Sequence, residues 1–200
     1  MSEKIFFAME IIGTIAFAMS GAFVAIEKKM DILGVGILGI TTAVGGGIIR
    51  DTLIGVTPPS SLVDPMYAFI ALAVSLIVFI PGIRKLIDLD SKIMVFIDAI
   101  GLGAFTVIGC NAALRFDNIW LQLFLGVLTG VGGGVVRDIF AAEKPMIFVR
   151  HFYAVASLVG AIAYSILLPY SNIISAIVGI TIIVILRMLA AKYKWHLPKA

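Results

Sequence analysis

Apolar runs long enough to cross a bilayer follow one another along almost the whole of this 200-residue chain. A spanning helix needs about 20 mainly apolar residues, and seven stretches qualify. They are Ile5–Ile26, Ile32 to about Thr57, Pro65–Ile83, Ile93–Leu114, Ile119 to about Ala142, His151–Leu168 and Ile173 to about Ala191. Lipid offers no partner to an open backbone, so only helices and closed barrels span it. Runs of this length select helices. Composition agrees: 61% of residues are hydrophobic and 14% charged, against about 25% charged in a soluble domain. Glu10 interrupts the first run, and the single Lys4 beside Glu3 is a poor basic flank. That segment therefore reads as a span and not as a cleaved leader.

The net charge of +3 is better explained by topology than by nucleic acid. Lys and Arg sit in short loops and in a basic tail over residues 192–200, suited to anionic lipid headgroups. With seven spans, Lys4, Arg50 and Arg115 fall on the N-terminal side and the other twelve of the 15 Lys and Arg on the opposite side. The positive-inside rule then predicts an outer N-terminus and a cytoplasmic C-terminus.

The chain also repeats itself. Gly45-Gly46-Gly47-Ile48-Ile49-Arg50-Asp51 recurs as Gly132-Gly133-Gly134-Val135-Val136-Arg137-Asp138, 87 residues later. Upstream the offset is 88: Glu10 falls on Asp98, Ala16 on Ala104, Phe17 on Phe105, Gly21 on Gly109 and Ala25 on Ala113. Downstream, Pro58 falls on Pro145. Repeat one covers about 5–83 and repeat two about 93–168, with a seventh helix at about 173–191. Three spans per repeat is an odd number, so the second copy enters from the opposite side. The predicted fold is all-α and polytopic, an inverted 3+3 repeat plus one C-terminal helix in a single transmembrane domain. Such repeats meet around a midplane site.

The motif itself supports two readings. Each glycine costs a helix about 1 kcal/mol relative to alanine, so three together invite the second and fifth helices to break. An unwound turn facing a wet cavity would present carbonyls to a cation. Alternatively, glycines let helices cross closely: Gly126, Gly130 and Gly134 are four apart, as are Gly39, Ala43 and Gly47. Of the two, the expectation is that both helices break.

Arg50, Asp51, Arg137 and Asp138 lie one turn beyond the glycines. A charge near the bilayer centre costs roughly 3 kcal/mol or more and usually faces a cavity or a partner. Neighbours in a helix do not face each other, so each charge is expected to find its partner elsewhere. Glu10 is roughly 9 Å into its span and Arg50 roughly 6 Å from the midplane, at 1.5 Å per residue. With a half-thickness of about 15 Å, the two share a level, as do Asp98 and Arg137. Two symmetry-related pairs, Glu10–Arg50 and Asp98–Arg137, are expected. Arg187 in the last span is expected to snorkel outwards.

Other features carry less. The pattern Gly34-Val35-Gly36-Ile37-Leu38-Gly39 follows no strand and is not read as a dinucleotide site. His151 and His196 are too isolated for a metal site, and Cys110 reads as a small buried residue. Trp120 and Trp195 read as interface anchors. No catalytic set is apparent, so the chain reads as a non-enzyme without a cofactor, and with no metal beyond permeating cations.

The seven spans, the 3+3+1 repeat and the doubled glycine–Arg–Asp motif resemble the prokaryotic trimeric intracellular cation (TRIC) channels, a family also labelled as bacterial glycine transporters. The resemblance spans about Ile5 to Ala191. It implies a homotrimer in a prokaryotic plasma (inner) membrane, with a pore for K⁺ and also Na⁺ through each protomer. It further implies that Gly45, Gly46, Gly47, Gly132, Gly133 and Gly134 shape the constriction, with Arg50, Asp51, Arg137 and Asp138 beside it. The lysine-bearing lipid motif of animal members is missing. The rival reading is a secondary transporter of a small solute such as glycine.

Overall fold

The chain is all-helical in a computed structural model that describes residues 2–86, 91–149 and 152–195. Arg150, His151, His196, Lys199 and the end of the basic tail lie outside the described residues. Helix α1 is Ser2–Glu27, α2 Ile32–Leu53, α3 Ser60–Val63, α4 Met66–Phe79, α5 Pro81–Leu86, α6 Ser91–Ala112, α7 Ile119–Phe140, α8 Met146–Val149, α9 Tyr153–Leu167 and α10 Asn172–Tyr193. A short 3-10 turn, Leu114–Phe116, follows α6.

Five of these, α1, α2, α6, α7 and α10, are long and apolar enough to cross a membrane. The other two apolar segments are shorter than the sequence implies. α4 has 14 residues and α9 has 15, or roughly 21–23 Å of helix, against a hydrocarbon core of about 30 Å. Pro81 explains α4. It biases the preceding residue towards extended backbone, and Ile80 is extended, at φ −64° and ψ 122°. A separate turn, α5, then completes the apolar stretch.

Equivalent residues begin and end the helices of both halves. Asp31 caps α2 by accepting from Gly34 N at 2.8 Å, and Asn118 caps α7 by accepting from Leu121 N at 3.1 Å. Lys29 and Asp117, which precede these caps by two and one residues, are both left-handed, at φ 57° and 47°. Beyond α2 and α7, Gly55 and Ala142 are left-handed too, at φ 75° and 54°. Such caps satisfy N–H groups that a helix start leaves open.

Helices α1 and α6 run antiparallel through the middle. Ser20, Val24 and Glu27, late in α1, share one cavity with Met94, Val95 and Asp98, early in α6. Glu10 and Thr14, early in α1, share the opposite cavity with Phe105 and Ile108, late in α6. Phe17 and Phe105, equivalent in the two halves, meet between these cavities with ring centroids 5.2 Å apart. α2 packs on α1, α7 on α6, and α2 on α7. α10, outside the repeat, packs on α9 and α6.

Candidate functional site

The triple glycines do not break their helices. α2 is continuous from Ile32 to Leu53 and α7 from Ile119 to Phe140, which corrects the expectation of unwound turns. The close-crossing reading explains them instead. A Cβ on Gly46 would overlap the Thr129 carbonyl oxygen and lie 3.2 Å from Gly133 N. A Cβ on Gly133 would overlap the Thr42 carbonyl oxygen and press on the Phe17 ring. A Cβ on Gly132 would lie 3.1 Å from the Gly46 Cα. The two backbones touch, so an unwound turn here would orphan N–H and C=O groups in a dry contact.

Of the remaining motif glycines, Gly45 also faces α7, while Gly47 and Gly134 lie beside the two motif arginines. A Cβ on Gly45 would lie 3.3 Å from Val136 Cγ2. Gly134 lies beneath the Tyr153 hydroxyl, and Gly47 has open space up to the Arg50 guanidinium.

On one side of the crossing lies a wide cavity of about 270 Å³. Asp98, Arg137 and Asp138 line it and are nearly inaccessible to solvent. Arg137 Nη1 donates to Asp98 Oδ1 at 2.8 Å and to Ser20 Oγ at 2.5 Å. The expected Asp98–Arg137 pair is therefore present, with Ser20 as a further partner. Arg137 Nε also donates to Asp138 Oδ1, at 2.9 Å.

On the other side lies a narrow cavity of about 50 Å³ lined by Glu10, Gly47, Arg50 and Tyr67, among others. Here the expected Glu10–Arg50 pair does not form. Glu10 Oε2 accepts from Tyr67 Oη at 2.5 Å, and Arg50 Nε donates to Asp51 Oδ1 at 2.8 Å. Tyr67 supplies the nearer donor and leaves Arg50 to its neighbour.

In both halves the arginine thus pairs with the aspartate next to it. The rule that adjacent helix residues face apart holds for short side chains. The guanidinium is long enough to fold back over its own helix end and reach across. The second oxygen of each aspartate is also engaged: Ser60 N donates to Asp51 Oδ2 at 2.8 Å, and Met146 N donates to Asp138 Oδ2 at 2.7 Å. Each aspartate ties the end of a long helix to the first residue of the short helix beyond the prolines.

Three further residues, Tyr67, Tyr153 and Arg187, hold places that sequence reasoning missed. Tyr67 and Tyr153 are equivalents at an offset of 86 residues, a recurrence visible in the sequence. Arg187 does not snorkel. It is 4% exposed, its guanidinium carbon lies 4.6 Å from the Tyr153 ring centroid, and its Nη2 is 3.7 Å from Asp98 Oδ2. Attraction to Asp98 and to the ring face holds it inward.

A close crossing of two equivalent helices, with a buried charge cluster at one end and a partly buried one at the other, defines a duplicated, multi-pass helical membrane protein. The family model described as glycine transporter matches this chain twice, over residues 7–81 and 95–169. A solved TRIC cation channel is 42% identical, covers 96% of each chain and superposes with a TM-score of 0.86. A prokaryotic TRIC channel crystallised in 0.5 M KCl is 33% identical, covers 98% of this chain and 100% of its own, and has a TM-score of 0.90. The inner membrane protein YadS of Escherichia coli is 34% identical over 195 residues, which are 94% of this chain and 92% of YadS. The chain belongs to the family of these prokaryotic TRIC channels, as a multi-pass prokaryotic membrane protein. Its structural neighbours are channels, in keeping with a non-enzyme.

Proposed function

We propose that the chain is a monovalent cation channel, conducting K⁺ and also Na⁺, with one pore in each protomer of a homotrimer. The observation that carries this reading is the alignment of two charged cavities on either side of the Gly46–Gly133 crossing. A path from Glu10 past Gly47 and the Phe17–Phe105 pair to Asp98 would cross the protein along α2 and α7. Gly45, Gly46, Gly47, Gly132, Gly133 and Gly134 form its narrow part, and Arg50, Asp51, Arg137 and Asp138 its charged ends. The relatives named as cation channels support the same reading.

With the two backbones in contact, this arrangement is a closed one, and conduction requires α2 and α7 to part. As they part, the Thr42 and Thr129 carbonyl oxygens, which face the opposite helix at Gly133 and Gly46, would line the gap and help compensate dehydration of the ion. The topology is an inverted 3+3 repeat plus α10, with repeat one over about 5–83 and repeat two over about 93–168. The lysine and arginine distribution supports an outer N-terminus and a cytoplasmic C-terminus. The wide cavity then opens to the cytoplasm.

The sealed middle between two cavities equally suits alternating access by a carrier, and the family description as glycine transporter favours a small solute. Planar-bilayer recording of the purified protein in K⁺ separates the two. Unitary current steps that reverse at the K⁺ equilibrium potential are expected. Saturable glycine uptake without current steps would favour the carrier.

A further inference from the structure

The repeat places matching charges at both ends of the crossing, yet the two ends are not electrically alike. At the narrow cavity two carboxylates, Glu10 and Asp51, stand against one guanidinium, Arg50. At the wide cavity Asp98 and Asp138 stand against Arg137 and also Arg187. The first set is formally −1 and the second neutral. The difference is a single residue on α10, the helix with no counterpart in the repeat. At the mouth of the wide cavity Lys28 and Glu143 pair at 2.6 Å, and Glu27 and Lys144 add opposite signs, so the rim does not restore the balance.

We infer that Arg187 makes the two vestibules unequal for cations and so sets the rectification of the pore, an inference that rests on the channel reading above. The geometry holds its charge in place. Tyr153 supports the guanidinium from one face, Asp98 Oδ2 lies 3.7 Å from Nη2, and Nε has no hydrogen-bond partner among the described residues. Arg187 therefore shares Asp98 with Arg137 and leaves that carboxylate less able to attract a passing cation. A unit charge roughly 7 Å from an ion in a water-like medium changes its local concentration about two- to threefold. Cations enter more readily from the Glu10 end, and current in that direction exceeds the reverse by about that factor at low ionic strength. At about 1 M salt the Debye length falls to about 3 Å and the asymmetry fades.

The test is single-channel recording in symmetric KCl at low and high concentration, for wild type, Arg187→Gln and Arg187→Lys. Antibody to a C-terminal tag identifies the Arg187 end, because α10 carries both towards the same side. Wild type and Arg187→Lys are expected to rectify about two- to threefold at low salt and little at high salt. Arg187→Gln is expected to lose rectification through a larger current entering from the tagged side. Equal rectification in wild type and Arg187→Gln overturns the inference, as does rectification that survives high salt. Arg187→Lys behaving like Arg187→Gln also overturns it, since that points to packing of the planar guanidinium. Absence of unitary current from the folded wild-type protein overturns the channel reading as well, so the two failures are distinguishable.

Discussion

Gly46 and Gly133 stand against each other where α2 crosses α7, each so close that a methyl group would strike a carbonyl oxygen of the opposite helix. Their neighbour Gly47 meets nothing nearer than the Arg50 guanidinium, at 4.0 Å. Glycines of one motif thus have different reasons to be small. Alanine in place of glycine favours a helix by about 1 kcal/mol, whereas overpacking a tight contact costs about 1–3 kcal/mol. Gly46→Ala and Gly133→Ala are expected to lower the melting temperature of the protein in detergent. Gly47→Ala is expected to leave it unchanged or raise it. A melting series on the three variants checks the order.

The charge clusters differ in their coupling. Removing one member of a buried ion pair costs about 3–5 kcal/mol. Asp98→Asn and Arg137→Gln are each expected to destabilise strongly, and a double-mutant cycle between them to give a coupling of about 2 kcal/mol or more. The same cycle on Glu10→Gln and Arg50→Gln is expected to give less than about 0.5 kcal/mol, because Glu10 bonds Tyr67 and Arg50 bonds Asp51. Denaturation in mixed micelles measures both cycles.

Asp51 and Asp138 use both carboxylate oxygens within the protein. Loss of a charge-assisted hydrogen bond costs about 1.5–3 kcal/mol, which is about a tenfold to hundredfold change in a local opening constant. Asp138→Ala is expected to speed hydrogen exchange at the Met146 amide by that factor, and Asp51→Ala to do the same at Ser60. Exchange mass spectrometry over residues 56–64 and 142–149 reads the effect. If these aspartates were mainly free ligands for passing ions, those amides would not respond.

Much of this architecture is written in the sequence. The apolar runs locate the helices, and the offsets of 87 and 88 residues identify equivalent positions from the residues alone. The Asp98–Arg137 pair follows from depth. What depth cannot decide is competition among partners at one level. Tyr67 lies 57 residues from Glu10, and only the fold brings it nearer than Arg50. Arg187 illustrates the same point. Its position near the end of an apolar helix fits snorkelling, and only the packing of α10 over α9 reveals Tyr153 and Asp98 as an inward alternative. The glycines carry an ambiguity of another kind. Helix propensity says they weaken the helix, and the four-residue spacing of small residues says a neighbour can come close, but which neighbour comes, and what its backbone contact gains, is a property of two chain segments together.

The central claim, a separate path along α2 and α7 in each protomer, is tested most directly by blocking it from within. Gly47 lines the narrow cavity and has room for a side chain, while Cys110 is buried. K⁺ current is therefore recorded through Gly47→Cys in a Cys110→Ser background while a membrane-impermeant, positively charged thiol reagent is added from the Glu10 side. The expected result is block of the open channel in three equal, irreversible steps, one for each protomer. Full labelling, verified by mass spectrometry, with the current unchanged, or block of the whole current in one step, would contradict it.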